Sequence, residues 1–156
     1  MTTVTGYGPF ILGNLYAYID DAVAVGSASS TNFQLQSSWG FTFEVQGTGF
    51  SGFSNGLPTA GTVTSLVQRD NSGSIIAIYD NFTIAVAALF ATFAPNALNG
   101  YELFQNLIFG GDDTINGSDV SAPGQVSYGF PFGDDLFGGA GNDVINGFAG
   151  ADRLSG

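Results

Sequence analysis

The chain has 156 residues, enough for one domain or for one domain with a repeat extension. It contains 13 acidic residues, two arginines and no lysine, so its formal net charge of −11 disfavours binding to nucleic acid or anionic membranes and attracts cations. The absence of His and Cys excludes thiol and histidine catalysis, and leaves oxygen ligands that suit hard cations such as Ca²⁺ or Mg²⁺.

The first 104 residues predict a β-rich domain with few acidic residues. β-Branched stretches at 62–68 and 74–79 flank the turn-forming segment 69–73, which indicates a β-hairpin. Apolar residues also alternate with polar ones in two further predicted strands, so that each strand has one apolar face. These apolar positions are Phe33 and Leu35 in one strand, and Trp39, Phe41, Phe43 and Val45 in the other.

One short helix is predicted near 84–94, where Ala is abundant and apolar residues recur at helical spacing until Pro95 ends the pattern. A second helical stretch, 100–107, leads into the acidic region. The apolar run 84–94 is about half the length that a membrane span requires, so no membrane insertion is expected. The N-terminus has neither a basic nor an apolar segment, so we expect no cleaved leader of the usual kind.

From residue 108 onward the composition changes to Gly, Asp and Asn, and seven of the 13 acidic residues follow residue 103. Residues 138–146 match the nonapeptide G-G-x-G-x-D-x-U-x at every specified position, U being a large aliphatic residue. Residues 147–155 match it with one departure, Phe148 at the second glycine. Two consecutive nonapeptides in one register are much more specific than a single Gly-Asp turn.

Two weaker copies precede the intact ones. Residues 129–137 keep Asp134 and Leu136 in register but lack two of the glycines. Residues 109–117 retain only the central G-x-D-x-U pattern. The segment 118–128 interrupts the register between these two copies and is predicted to be an insertion.

These nonapeptides resemble those of the RTX family, the hemolysin-type calcium-binding repeat proteins of Gram-negative bacteria. The resemblance covers roughly the last third of the chain. It implies a mainly β protein in which an N-terminal β-rich domain, 1–104, precedes a short C-terminal parallel β-roll, 105–156. It also implies that Ca²⁺ is the bound ion and that the roll orders only when the ion neutralises its carboxylates.

Each nonapeptide combines a turn with a short strand. Glycines in the turn adopt positive φ and expose carbonyl oxygens, the Asp at position six adds a carboxylate, and the aliphatic residue at position eight points into the core. The residue at position two of the nonapeptide is included as a ligand through its carbonyl oxygen, even where that residue is Phe148. The predicted calcium ligands are Asp113, Asp134, Gly139, Gly141, Asp143, Phe148, Gly150 and Asp152.

Two nonapeptides form one coil, so turns on the same side of the roll are 18 residues apart. Asp134 and Asp152 have this separation, and we expect them to share one ion. For Asp143 the same spacing points to Gln125, which is not a carboxylate, and to a position beyond residue 156. Asp143 therefore has half a site, unless the insertion brings Asp113 or Asp119 beneath it.

The resemblance implies type I secretion and an extracellular or cell-surface location. The last coil would expose strand edges, and missing residues, the N-terminal domain or another copy of the chain could cover them. Self-association would form a filament or surface layer, and it is the function we expect. The alternative is a calcium-dependent adhesin that binds a cell-surface glycan through Trp39 and exposed tyrosines. An enzyme is not expected, because neither H-E-x-x-H nor G-x-S-x-G is present.

Overall fold

A mixed β-sheet organises the part of the chain that the computed structural model describes, namely residues 1–8, 12–93, 99–119, 126–127, 130–131 and 133–156. The strands of this part are β1 (Thr3–Gly6), β2 (Val23–Val25), β3 (Asn32–Gln36), β4 (Thr42–Ser51), β5 (Ala60–Arg69), β6 (Ile75–Asp80), β7 (Ile84–Ala85), β8 (Thr114–Asn116), β9 (Val126–Ser127), β10 (Phe130–Pro131), β11 (Asp135–Phe137), β12 (Val144–Asn146) and β13 (Arg153–Ser155). The helices are α1 (Leu15–Asp20), which follows a 3-10 turn at Leu12–Asn14, α2 (Val86–Ala91) and α3 (Gly100–Phe109).

The main sheet joins the two ends of the chain. Among the described strands its order is β12-β8-β1-β6-β5-β4-β3-β2, with β7 added beside β5. Strands β2 to β6 form an antiparallel meander, and β1 pairs antiparallel with β6. On its other side β1 pairs parallel with β8, which pairs parallel with β12. The first strand therefore lies between the meander and the repeats.

The core lies on the face of the sheet that the helices cover. Alternate residues of neighbouring strands point into it, as the full burial of Phe33, Phe43 and Val45 shows. Phe104 of α3 is also fully buried and contacts the ring of Phe93, with 5.6 Å between the ring centroids. The same apolar cluster includes repeat residues, so the core is shared by the two parts of the chain.

The structure confirms the predicted hairpin, since β5 and β6 pair antiparallel around the turn and Gly73 adopts a φ of 85°. The helix predicted at 84–94 is present but shorter, because residues 84–85 pair with β5 as β7 before α2 begins. Residues 94–95 lie outside the described part. The second predicted helical stretch corresponds to α3. Helix α1 had no counterpart in the sequence prediction.

Trp39 does not belong to the predicted strand. Strand β4 begins at Thr42, and Trp39 lies in the turn before it with 63% of its surface exposed. Phe43 and Val45 are buried as the alternation predicted. The reason is local: the turn that joins β3 and β4 is closed by a hydrogen bond from the N–H of Gly40 to the carbonyl of Ser37, which ends the extended backbone.

The repeats contribute two parallel pairs, β8 with β12 and β11 with β13. The boundary predicted at residue 104 falls within α3, and the domain limits remain a prediction. Of the predicted insertion, 118–128, the structure describes residues 118–119 and the short strand β9, which pairs with β10. None of the helices in the described residues is long and apolar enough to cross a membrane.

Tyr79 provides a test of the core. Its hydroxyl donates a hydrogen bond of 2.8 Å to Oε1 of the buried Gln68, and burial raises its pKa far above the usual range, so it remains a neutral donor. We expect Tyr79→Phe to lower the free energy of unfolding by about 1–3 kcal/mol, because the Gln68 oxygen loses its buried partner. Urea denaturation measures this change. Tyr101→Phe, at a half-exposed site, is the matched control and should have almost no effect; equal stabilities of the two variants would contradict the assignment.

Candidate calcium site

Two turns of the repeats, residues 109–113 and 138–143, lie one above the other. The N–H of Ala140 donates to the carbonyl of Phe109, and the N–H of Asn142 donates to Oδ1 of Asp112. In the opposite direction, the N–H of Asp113 donates to Oδ1 of Asp143 at 2.9 Å. These contacts place the carboxylates of Asp112 and Asp143 against the backbone of the facing turn. A Ca²⁺ ion takes six to eight oxygen ligands, so a site here would need further oxygens from both turns.

A second pair of turns is built in the same way on the other side of the repeats. Asp152 Oδ1 accepts a hydrogen bond of 2.9 Å from the N–H of Asp134, and Leu136 lies opposite Leu154 in the parallel register. The structure therefore brings together the two aspartates that are 18 residues apart. It places Asp143 against Asp113, 30 residues away, which is one of the two alternatives that the sequence left open.

The turn backbone has the same conformation in both intact nonapeptides. At position four, φ is 140° for Gly141 and 138° for Gly150. At position two, φ is 89° for Gly139 and 62° for Phe148, so the phenylalanine adopts the left-handed conformation that favours glycine. A Cβ added at Gly141 would collide with the carbonyl oxygen of Gly111 in the turn below, so this glycine permits the close approach of the two turns.

Strand β1 takes the place of a preceding repeat. Asp113 accepts a hydrogen bond from the N–H of Thr2, just as Asp143 accepts one from Asp113. The N–H of Thr114 donates to the carbonyl of Thr2 at 2.9 Å, and that of Val144 donates to the carbonyl of Asp113 at 2.8 Å. Val4 is fully buried and lies in register with Ile115, the inward aliphatic residue of the first repeat.

The buried carboxylate of Asp113 fits a bound cation. Only 2% of this residue is exposed, and Oδ2 has no hydrogen-bond partner, although Thr2 donates to Oδ1. Burial raises the pKa of Asp113, the hydrogen bond from Thr2 and the N-terminal ammonium group partly offset this, and the nearby Asp143 and Asp112 add to the increase. An unpaired buried carboxylate oxygen is costly, and an oxygen-seeking cation would satisfy it. Among the described residues no three acidic side chains are placed so that they could hold one metal ion together, so backbone carbonyls would supply the remaining ligands.

The sequence analysis missed three residues of this arrangement. Asp112 accepts hydrogen bonds from both the N–H and the side-chain amide of Asn142, and its position beside Asp113 could have indicated it. Ser118 donates its N–H to Oδ2 of the buried Asp134. Thr2 contacts the repeats through its backbone and donates its hydroxyl to the carbonyl of Ile108, and neither role has a signal in the sequence. Asp119, the other alternative partner of Asp143, lies in a groove beside the end of β1.

Comparison with known families supports the calcium assignment. Residues 128–156 match the family described as RTX calcium-binding nonapeptide repeat (4 copies). The RTX resemblance is thereby confirmed for these residues, which include Asp134, Asp143 and Asp152 but not Asp113. RTX nonapeptide repeats bind Ca²⁺, and proteins that contain them are typically secreted by type I systems. No curated protein and no solved structure gave a significant match to the chain.

Replacing the turn aspartates by asparagine tests the predicted ligands. Asp143→Asn and Asp152→Asn each keep an oxygen that can accept the N–H of the turn below, but they remove a negative charge. We expect each substitution to raise, on the order of tenfold, the calcium concentration at which the repeats are ordered in half of the molecules. Circular dichroism during a calcium titration measures this midpoint. Asp20→Asn, at the exposed end of α1, is the control, and midpoints equal to that of the control would contradict the assignment.

Val4 links the stability of the sheet to calcium binding, because it contacts the meander and the first repeat from one buried position. Val4→Ala should lower the free energy of unfolding by about 2 kcal/mol and raise the calcium midpoint as well. Val23→Ala, in the edge strand β2 and 63% exposed, is the matched control. If Val4→Ala destabilised the sheet while leaving the calcium midpoint unchanged, β1 would not support the repeats.

Proposed function

We propose that this is a secreted, calcium-binding structural protein whose repeats order as a parallel β-roll on Ca²⁺ outside the cell. The matched RTX family supports calcium binding, and the stacked turns supply the oxygen atoms. Calcium sites of extracellular modules have dissociation constants of about 10⁻⁴–10⁻³ M. Such sites stay empty at cytosolic calcium concentrations and fill outside, so the same chain would be unfolded during export and folded afterwards.

We propose further that the roll self-associates, and the burial of its inward residues is the observation that carries this step. Leu136 is fully buried, whereas Leu154, which occupies the equivalent position 18 residues later, is 49% exposed. Strands β12 and β13 pair on one side only, so among the described strands their outer edges are open. Open edges beside an exposed aliphatic residue favour the addition of further strands, and a second copy can supply them.

Charge makes this association dependent on calcium. Copies with a net charge of −11 repel one another. Ca²⁺ lowers this charge at the repeats, where the open edges lie. The ion therefore has two effects in the proposal: it orders the turns, and it allows like-charged surfaces to meet. The proposal describes a binding and structural protein and not an enzyme.

Sedimentation velocity combined with circular dichroism tests the proposal in one calcium titration. We expect increased β-signal together with rapidly sedimenting polymer at millimolar calcium. Leu154→Asp places a charge in β13 beside its open edge. This variant should therefore gain the same β-signal and remain monomeric. Leu103→Asp, at a 48% exposed position of α3 and away from both open edges, is the control for added charge. A wild-type protein that gains β-signal and stays monomeric would refute self-association while leaving the calcium roll intact.

A second function, a calcium-dependent adhesin, is favoured by one surface feature. Trp39 is 63% exposed, and its ring lies 6.5 Å from that of Tyr18, which in turn packs on Phe41 at 4.4 Å. An exposed aromatic group held by its neighbours is typical of a recognition surface. A protein that binds glycans in calcium as a monomer, and loses binding on Trp39→Ala, would favour this function over self-association.

A further inference from the structure

Phe148 adopts a backbone conformation that is unfavourable for its side chain. Its φ of 62° lies in the left-handed region, which costs an L-residue about 1–2 kcal/mol relative to glycine. Glycine is the motif residue at this position, and Gly139 occupies it one repeat earlier. The ring is 60% exposed, so core packing does not explain why phenylalanine replaces glycine here. A strained residue that is not part of a core points to a function.

The two position-two sites differ in the space around them. A Cβ at Gly139 would collide with the carbonyl oxygen of Phe109, so no side chain can be accommodated there. At Phe148 a full aromatic side chain is accommodated and lines a groove of about 440 Å³. The other side chains of the groove that matter for binding are Thr5, Tyr7, Asn116 and Asp119.

Two exposed aromatic residues line this groove. Thr5 lies opposite Asn116, and Asn116 lies opposite Asn146, at the ends of three paired strands. Tyr7 follows the first of these strands and Phe148 follows the last. Tyr7 is 53% exposed and Phe148 is 60% exposed, so both rings are accessible from the groove.

We propose that this groove binds a neutral saccharide, with Tyr7 and Phe148 as the aromatic rings on which its sugar units stack. The C–H groups on the faces of a sugar carry slight positive charge and are attracted to the negative faces of aromatic rings. The amide of Asn116, the carboxylate of Asp119 and the hydroxyl of Thr5 can bond the hydroxyl groups at the edge of the sugar. The net charge of −11 disfavours anionic saccharides.

Binding at this groove depends on calcium and not on self-association. Phe148 lies in the turn between β12 and β13, whereas Tyr7 follows β1, so the two rings come together only when the repeats are ordered on the N-terminal sheet. The site is distinct from the Trp39 cluster, which lies before β4. The inference therefore rests on calcium ordering of the repeats, and it is independent of both polymer formation and the Trp39 surface.

Isothermal titration calorimetry on the full chain in millimolar calcium tests the groove, with cellohexaose, maltohexaose, laminarihexaose and xylohexaose as probes. We expect at least one probe to bind, and binding to disappear when a chelator removes calcium. Phe148→Gly restores the motif residue, so it should order at the same or a lower calcium concentration while weakening saccharide binding at least tenfold. Tyr7→Ala should weaken binding similarly. Trp39→Ala is the control and should bind like the wild type.

Three results would overturn the proposal: no binding of any probe by the calcium-ordered protein, unchanged binding by Phe148→Gly, or loss of binding in Trp39→Ala alone. Circular dichroism on each variant shows whether the repeats have ordered. If Phe148→Gly failed to order, its phenylalanine would have a structural role, and Tyr7→Ala would then decide whether the groove binds sugar. Failure of ordering in the wild type would instead refute the calcium-dependent function.

Discussion

The parallel pairing of β1 with β8 is the interaction on which the rest of the molecule depends. On one side of β1 lies the meander, whose strands alternate in direction. On its other side lie the repeats, whose paired strands run parallel. Strand β1 satisfies both, because it pairs antiparallel with β6 and parallel with β8. Thr2 then supplies the backbone groups that a preceding repeat would otherwise provide, and Val4 continues the line of inward aliphatic residues. The repeats are thereby attached at one end to the sheet of the N-terminal part.

In the proposed function, calcium and the N-terminal sheet order the repeats in different ways. The sheet acts at one end through hydrogen bonds and apolar contact, whereas the ion would act within each pair of turns by neutralising carboxylates. Asp113 lies where the two meet, since one of its oxygens accepts a hydrogen bond from Thr2 and the other is buried without a hydrogen-bond partner. Ile115 and Leu136 are fully buried, but Leu154 is half-exposed, so apolar support decreases away from the sheet. The proposal therefore implies that the outer turns depend more on the ion than the inner ones.

Short-range patterns in the sequence predicted the parts of the structure that short-range physics determines. The hairpin at 69–73 and the turn conformation of the intact nonapeptides are examples, because glycine and turn residues encode them locally. Pairings between distant residues could not be predicted in the same way. The contact of Asp113 with Asp143 depends on how the chain between them is arranged, and the 18-residue rule applies only without an insertion. Thr2 pairs with the repeats through backbone groups, which every residue has, and its hydroxyl bond to Ile108 joins residues 106 positions apart.

The residues that pair where β1 meets the repeats are far apart in the sequence, and this separation affects when the molecule can fold. Thr2 and Asp113 are 111 residues apart, so the loop that their pairing closes contains most of the chain. Closing so long a loop costs entropy that only the later contacts repay, and such contacts form slowly. The pairing also requires both segments to be in the same compartment. If the chain is exported by threading, as proposed, it cannot complete this sheet while Thr2 and Asp113 are on opposite sides of the membrane, so the topology would delay folding until both segments have crossed.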